Sequence, residues 1–468
     1  MDRIKADDLY AYWFLSEVAV APDGAHAAFV SRRARDDGKG YYACIHLLDT
    51  ATGAVRPLTG NGDEASFRWL DATTLIFPSC RTGDQPGKTA FYRLDIRGGE
   101  AERAFTIPLS VKQFHPLPDG RWFILTRRPM TSPEDLPADQ PQPGRDYTVF
   151  DELPFWADGL GMINGTRMSG WIFDPADGSV NQITPPTYDM EGAAVSPEGS
   201  RILYWGVSFE GIRPDYRQLM LYDLATGQTR SLVPDGKYRI TQVGWWGTDI
   251  WFEGGDPHTS VSRSPKLYLL NPATGDCRTF CAPDGFLGTS AIGDMSLGGG
   301  KVCAVQGDSL YAVRLQRDVT ALLRFDKAGN FAPVASYEGI ACFDIIGENA
   351  YLAAFRDHRP QELYRQPLSG GEPERLTQFH DAFLETRQIS RPEHITFRSR
   401  DGQEVDGWVI RPSGYEPGKK YPGVLNIHGG PKAAYGSQYY HEMQLLAAGG
   451  RFVFYTNPHG SDGRGQDY

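Results

Sequence analysis

The 468 residues exceed what one ordinary core holds, so the chain codes several domains or one repeat array. Apolar residues make up 40% and charged residues 22%, as in a globular protein, while 53 Gly and 33 Pro point to many tight turns between short strands. The formal charge of −11 leaves no basic footprint for nucleic acid or an anionic membrane and reads as a solvated acidic surface.

The opening MDRIKADDLYAYWFLSEVAVAPDG sets acids beside its apolar residues and lacks the uninterrupted apolar stretch of a signal peptide. No apolar run approaches the roughly 18 residues that a membrane span needs. A soluble cytoplasmic protein is expected, with neither membrane nor nucleic acid as partner. Cys44, Cys80, Cys277, Cys281, Cys303 and Cys342 are thinly scattered and read as small buried hydrophobes in a reducing compartment. Cys277 and Cys281 would make half a metal site, but no neighbouring His or Cys pair completes it, so no metal or other cofactor is expected.

A repeat dominates the chain from Val18 to about Asp381. Each unit is an apolar run, a Pro-Asp-Gly-like turn, a second run, a linker, a third run ending in Asp or Asn, an Ala-Thr-Gly-like turn and a fourth run. The first unit has Pro22-Asp23-Gly24, IHLLD ending at Asp49, and Ala51-Thr52-Gly53. The fourth nearly repeats it, with Pro197, LMLYD ending at Asp223, and Ala225-Thr226-Gly227. Third runs end at Asp49, Asp95, Asp174, Asp223, Asn271, Asp326 and near Pro367, which makes seven units at about the 40–50 residues of a propeller blade. A four-stranded twisted sheet cannot bury both faces alone, and radial packing of copies covers them, so seven units predict one closed seven-bladed β-propeller. The step of 79 from Asp95 to Asp174 implies an insertion, supplied by the Pro-rich stretch from Pro129 and ending in the aromatic, Gly-rich Asp151–Gly165. A surface excursion and a substrate-contacting loop are both open readings for it.

Beyond Asp381 the pattern changes. HITFRSRDG, EVDGWVIRP and YPGVLNIHGG are three apolar runs; HEMQLLAAGG has helical spacing closed by glycines, and RFVFYTNP reads as a buried strand. Strand, strand, strand, helix, strand is the opening of an α/β sheet. The expected organisation is an N-terminal segment 1–17, a propeller 18–381, and the first strands of an incomplete α/β-hydrolase domain 382–468.

His428-Gly429-Gly430-Pro431 follows the run GVLNI directly. Acyl transfer develops a negative oxygen, and glycines let a backbone N–H approach it; in α/β-hydrolases one such donor comes from a glycine-rich loop after the third strand. His428 by itself also fits an ordinary strand-end histidine packed under a turn.

The arrangement resembles the prolyl oligopeptidase family of serine peptidases, in its acylaminoacyl-peptidase and dipeptidyl-peptidase-like branch. The matching stretches are SEVAVAPDGAHAAFVS, the blade turns, ITFRSRDGQEVDGWVIRPSGY, YPGVLNIHGGPKAAYG and NPHGSDGRGQDY. The resemblance implies an oxyanion donor at Gly430, His428 shaping the loop, Pro431 stiffening its exit, and a supporting turn at Asn457, Pro458, Gly460 and Ser461. His459 stands where that turn usually carries arginine, and Arg464 where an aromatic is usual, so the contacts of those two side chains do not carry over.

No Gly-x-Ser-x-Gly nucleophile elbow occurs in the sequence, and in this fold the triad order is Ser, Asp, His, all downstream of the strands present here. Ser437 and Ser461 follow glycines but lack an elbow's context and read as turn serines. His441 reads as a solvated or N-terminal helix residue rather than a general base. The expectation is a propeller and oxyanion-loop portion of a peptidase for short peptides, truncated before its nucleophile and inactive alone, pairing with itself or with a complementing hydrolase segment. The alternative is a non-catalytic binding or scaffold propeller that keeps a residual hydrolase segment.

Overall fold

A computed structural model of the chain describes residues 1–81, 83–130, 147, 149–289, 291–430 and 432–468. The chain forms two compact units, one of Met1–Ser79, Arg93–Ala101 and Cys281–Tyr468, the other of Cys80–Tyr92 and Glu102–Phe280.

The structure is mainly β. Among the described residues, seven four-stranded antiparallel sheets follow one another, each with strands paired in sequence order, as in β-propeller blades. They span residues 14–57, 68–107, 113–182, 188–231, 239–281, 303–337 and 339–375. Their third strands end at Asp49, Asp95, Phe173, Asp223, Leu270, Asp326 and Pro367, within a residue of the repeat read from sequence. The first strand starts at Phe14 rather than Val18, because a bulge between Ser16 and Ala19 breaks the alternation. Glu17 sits in that bulge at φ +55°.

Local turn chemistry explains the repeat. Asp49 Oδ1 accepts the N–H groups of Ala51 and Thr52 at 3.1 and 2.8 Å, and Asp223 Oδ1 accepts those of Ala225 and Thr226 at 3.1 and 2.9 Å. Asn271 Oδ1 does the same for Ala273 and Thr274, at 2.9 and 3.1 Å. Neighbouring sheets are bolted by a recurring indole: Trp69 Nε1 donates to Ala19 O and Trp245 Nε1 to Ala194 O, each at 3.1 Å.

Apolar faces are buried between successive sheets. Leu125, Tyr188 and Tyr204 pack the third sheet on the fourth, and Leu221, Tyr238 and Phe252 the fourth on the fifth. Val313, Phe343 and Leu352 pack the sixth on the seventh. The seventh then packs on the first, through Cys342, Tyr351 and Leu363 against Leu15, Val18 and Phe29. No disulfide is present among the described residues, and only Cys281 and Cys342 are buried; Cys80 and Cys277 are exposed, contrary to the expectation of small interior hydrophobes.

A six-residue helix α1 (Asp381–Thr386) leads to a C-terminal sheet of β1 (Pro392–Arg398), β2 (Glu404–Ile410), β3 (Gly423–Asn426) and β4 (Phe452–Asn457), with helix α2 (His441–Ala448) between β3 and β4. The order is β1-β2-β4-β3; β2 is antiparallel to β1 and β4, while β3 and β4 are parallel. Trp408, stacked on Tyr455, packs with Met443 and Ala447 of α2 over one face. Ile395, Phe397, Leu425 and Ile427 stay exposed. Among the described residues no helix is long and apolar enough to cross a membrane.

Candidate functional site

β3 delivers the chain into the turn Ile427-His428-Gly429-Gly430. Gly430 has φ +135°, and a Cβ there would lie 2.9 Å from Lys432 N and 3.3 Å from Ala433 N, so the turn admits only glycine without shifting. Gly430 is exposed, and its N–H has no hydrogen-bond partner among the described residues. Pro431 lies outside the described residues. His428 Nδ1 is 2.9 Å from Gly429 O and its Nε2 is 3.1 Å from Ser461 Oγ, while its ring meets Tyr435 edge-on at 5.1 Å.

The second sequence motif holds the first. Asn457, buried at the end of β4, accepts Tyr435 N–H at 2.8 Å through Oδ1 and donates to Tyr435 O at 2.9 Å through Nδ2. Asp462 N–H donates to Ala433 O at 3.1 Å, and Tyr435 OH donates to Asn426 Oδ1 at 2.7 Å. Pro458 O accepts Ser461 N–H at 3.0 Å and lies 2.7 Å from Ser461 Oγ. Ser461 is buried and fixes this turn. Gly460 N–H donates to Tyr468 O at 2.8 Å, and His459 packs on the Tyr468 ring. The structure therefore brings His428, Asn457 and Ser461 into one cluster that sets the loop carrying Gly430.

Arg464 is well occupied. Its guanidinium donates to Asp406 on β2 and lies over the Tyr468 ring. Arg317, from the turn between the second and third strands of the sixth sheet, donates to both Asp406 oxygens at 2.8 and 2.6 Å, and His394 Nε2 lies 2.9 Å away. Burial works against ionisation of Asp406, but these hydrogen bonds overcome it and hold the carboxyl well below its ordinary range. Arg317 N–H also donates to Gly463 O at 2.6 Å, and a Cβ on Gly463 would come within 2.6 Å of Arg317 N.

Other long-range ties seat the same segment. Ile292 N–H donates to Ala434 O at 2.8 Å, and the Asp284 carboxylate accepts Gln466 N–H at 3.0 and 3.1 Å. Asp294 caps α2 from outside, accepting the N–H groups of His441 and Glu442 at 2.9 and 2.8 Å. His358 places Nδ1 2.9 Å from Ser437 O and Nε2 3.0 Å from the Gln444 amide nitrogen. His441 is the first residue of α2 but is not solvated: it is 3% exposed, and Tyr12 OH lies 3.0 Å from its Nδ1. The sequence gives no sign of this, since Tyr12, which packs on the ring, is brought in by the fold. An acid within the apolar run EVDGWVI was the one local hint of the Asp406 cluster.

No protein-family profile matches the chain. The uncharacterized peptidase YuxL of Bacillus subtilis is 29% identical over 483 residues, covering 99% of this chain and 72% of that protein. Dipeptidyl-peptidase 5 of Arthroderma otae is 34% identical over 487 residues, covering 95% of this chain and 66% of its own length. The acylaminoacyl peptidase structure from Pyrococcus horikoshii matches 99% of this chain and 68% of its own with a TM-score of 0.78, at 20% identity, a likeness of fold. The chain is a relative of the prolyl oligopeptidase family of peptidases. Within that family it is acylaminoacyl-peptidase and dipeptidyl-peptidase 5-like, and it covers only part of the full-length relatives.

Proposed function

We propose that residues 1–468 are the propeller and oxyanion-loop portion of a serine peptidase that hydrolyses short peptides of the acylaminoacyl, dipeptidyl or oligopeptide kind. In this reading the seven sheets are blades, ending near Asp381, and the C-terminal sheet is the beginning of an α/β-hydrolase domain. The order β1-β2-β4-β3, with α2 as the crossover between parallel β3 and β4, supports it.

The observation that carries the proposal is the unpartnered N–H of Gly430 at the carboxyl end of β3, in a loop fixed by Asn457. A donor so placed stabilises the oxyanion of a tetrahedral intermediate by about 2.7–4 kcal/mol. It cannot attack a carbonyl or move a proton, and residues 1–468 contain no Gly-x-Ser-x-Gly. The nucleophile and its base are proposed to come from a hydrolase segment that pairs along β3, where Leu425 and Ile427 stand in water. A cytoplasmic setting belongs to the same proposal, and the thin scatter of six cysteines along the sequence supports it.

Chromogenic acyl-aminoacyl and dipeptidyl substrates test the proposal. Residues 1–468 alone should give no turnover, and joining them to the unmatched remainder of the uncharacterized Bacillus subtilis peptidase should restore it. In the joined protein Gly430→Ala should lower kcat by about 10²–10³ with little change in KM. Turnover by residues 1–468 that ignores Gly430→Ala would overturn the reading. The absence of an elbow in these residues also favours a non-catalytic binding propeller, which a folded but inactive joined protein would support.

A further inference from the structure

The insertion in the third sheet carries a short ribbon, Trp156–Ala157 paired with Gly161–Met162. Its base is tied down. Glu152, 5% exposed, accepts two hydrogen bonds from the Arg167 guanidinium at 3.0 and 2.5 Å and the Gly165 N–H at 2.7 Å. Asn164 Oδ1 accepts the N–H groups of Asp151 and Glu152, and its Nδ2 donates to Asp151 Oδ1. Leu153 forms a bridge with Ile212, from the loop leaving the second strand of the fourth sheet, through hydrogen bonds to Gly211 and Arg213 of 2.9 Å each.

The outer surface of this anchored ribbon is apolar. Phe150, Leu153, Phe155, Trp156, Leu160 and Met162, with Ile212 beside them, are each between 38% and 74% exposed. Three pairings link them: the Phe150 and Phe155 rings are 4.6 Å apart, Trp156 pairs across the ribbon with Met162, and Leu153 bridges to Ile212. At 150–250 Å² per large side chain, they leave on the order of 700 Å² of apolar surface in water. Monomers rarely expose contiguous patches above a few hundred Å². One partner in a standard interface contributes about 800 Å².

We propose that this ribbon is the contact face of a two-fold dimer with a second copy of this chain. The area suits one side of such an interface. Charge suits it too, because Glu152 is paired with Arg167 and Asp151 is engaged by Asn164, which leaves Asp158 at the turn as a rim charge. Among the described residues each strand of the ribbon pairs on one side only, so a two-fold axis beside it joins two ribbons edge to edge and buries the same side chains from both copies.

Light scattering across a concentration series should show a dimer. Trp156→Ser combined with Leu160→Ser should raise its dissociation constant at least about a hundredfold, the loss of two anchor residues, while Ile427→Ser, an exposed apolar residue of the other compact unit, leaves it unchanged. Hydrogen exchange of the unmodified chain provides a readout without substitutions, and amides 153–163 should exchange more slowly as dimer accumulates. The proposal fails if the chain stays monomeric at every concentration. It also fails if the dimer survives the double substitution, if Ile427→Ser dissolves it, or if the ribbon is already protected in the monomer.

Discussion

Arg317 and Asp406 form a two-point ion pair, with guanidinium Nη2 and Nε donating to the two carboxylate oxygens at 2.6 and 2.8 Å. The Asp406 side chain is fully out of water and also receives Arg464, so Asp406→Ala leaves two guanidinium groups facing each other without their anion. Urea unfolding should show a loss of about 3 kcal/mol, in the range for breaking a buried pair from one side. Arg317→Ala, whose side chain is 45% exposed, should cost under about 1 kcal/mol. A carboxyl held below its ordinary range gives stability that is present above its unfolded value of 3.8 and is lost as pH falls through the folded value. The difference between the unmodified chain and Asp406→Asn should therefore shrink below pH 3.8.

His358 makes the opposite titration. Burial lowers it from 6.5 to about 4, and its neutral ring fits its partners, with Nδ1–H donating to Ser437 O and Nε2 accepting from the Gln444 amide. The folded chain binds fewer protons at this ring than the unfolded chain between pH 4 and 6.5, so its contribution is full above 6.5 and falls as pH drops through that window. Thermal melts from pH 7 to 4 should show a slope that becomes shallower in His358→Leu.

Glu338 adds a counter-slope. Burial pushes its carboxyl up from 4.5 to about 7, although both oxygens accept the His358 N–H. The folded state then binds the extra proton, and stability declines as pH rises from 4.5 to 7. Glu338→Gln should remove this decline, so that Tm of the variant relative to the unmodified chain improves between pH 5 and 8.

Trp69 and Trp245 make the same bolt to Ala19 and Ala194. Replacing either indole by phenylalanine keeps most of the packing and strands a carbonyl, so each should cost about 1 kcal/mol in denaturant unfolding. Near-equal losses at the two positions would confirm that the repeat is energetic as well as geometric.

Asn457→Ala removes both hydrogen bonds to the Tyr435 backbone. We expect a loss of about 2–3 kcal/mol and faster amide exchange at Tyr435, because a buried N–H and C=O are left unpaired. Normal protection at Tyr435 in this variant would show that the loop does not depend on Asn457.

The blades were legible because they are local. Asp49, Asp223 and Asn271 each organise their own turn within three residues, so strand ends could be placed from the text alone. Phe14 is not legible as the strand start because Glu17 departs from strand geometry and hides the three residues before it. The HGG and NPHGS motifs were visible as motifs, but their joining by Asn457 and Tyr435 was not. Arg317, Asp294 and His358 left no trace, since each meets its partner across 79 or more residues. Burial of His441 is the same case, because Tyr12 lies 429 positions away.

The packing of the first sheet against the seventh sets an order of events during synthesis. Leu15, Val18 and Phe29 leave the ribosome some 300 residues before Cys342, Tyr351 and Leu363 exist to cover them. Tyr12 waits longer still, for Tyr439, which accounts for 427 residues of separation in one hydrogen bond. Contacts of such high order fold slowly, and until they form the nascent chain carries an uncovered apolar face on its first sheet. Cells making this protein must therefore shield that face for most of translation, and chaperone depletion should trap the chain with its N-terminal strands open to proteases while the third and fourth sheets are already closed.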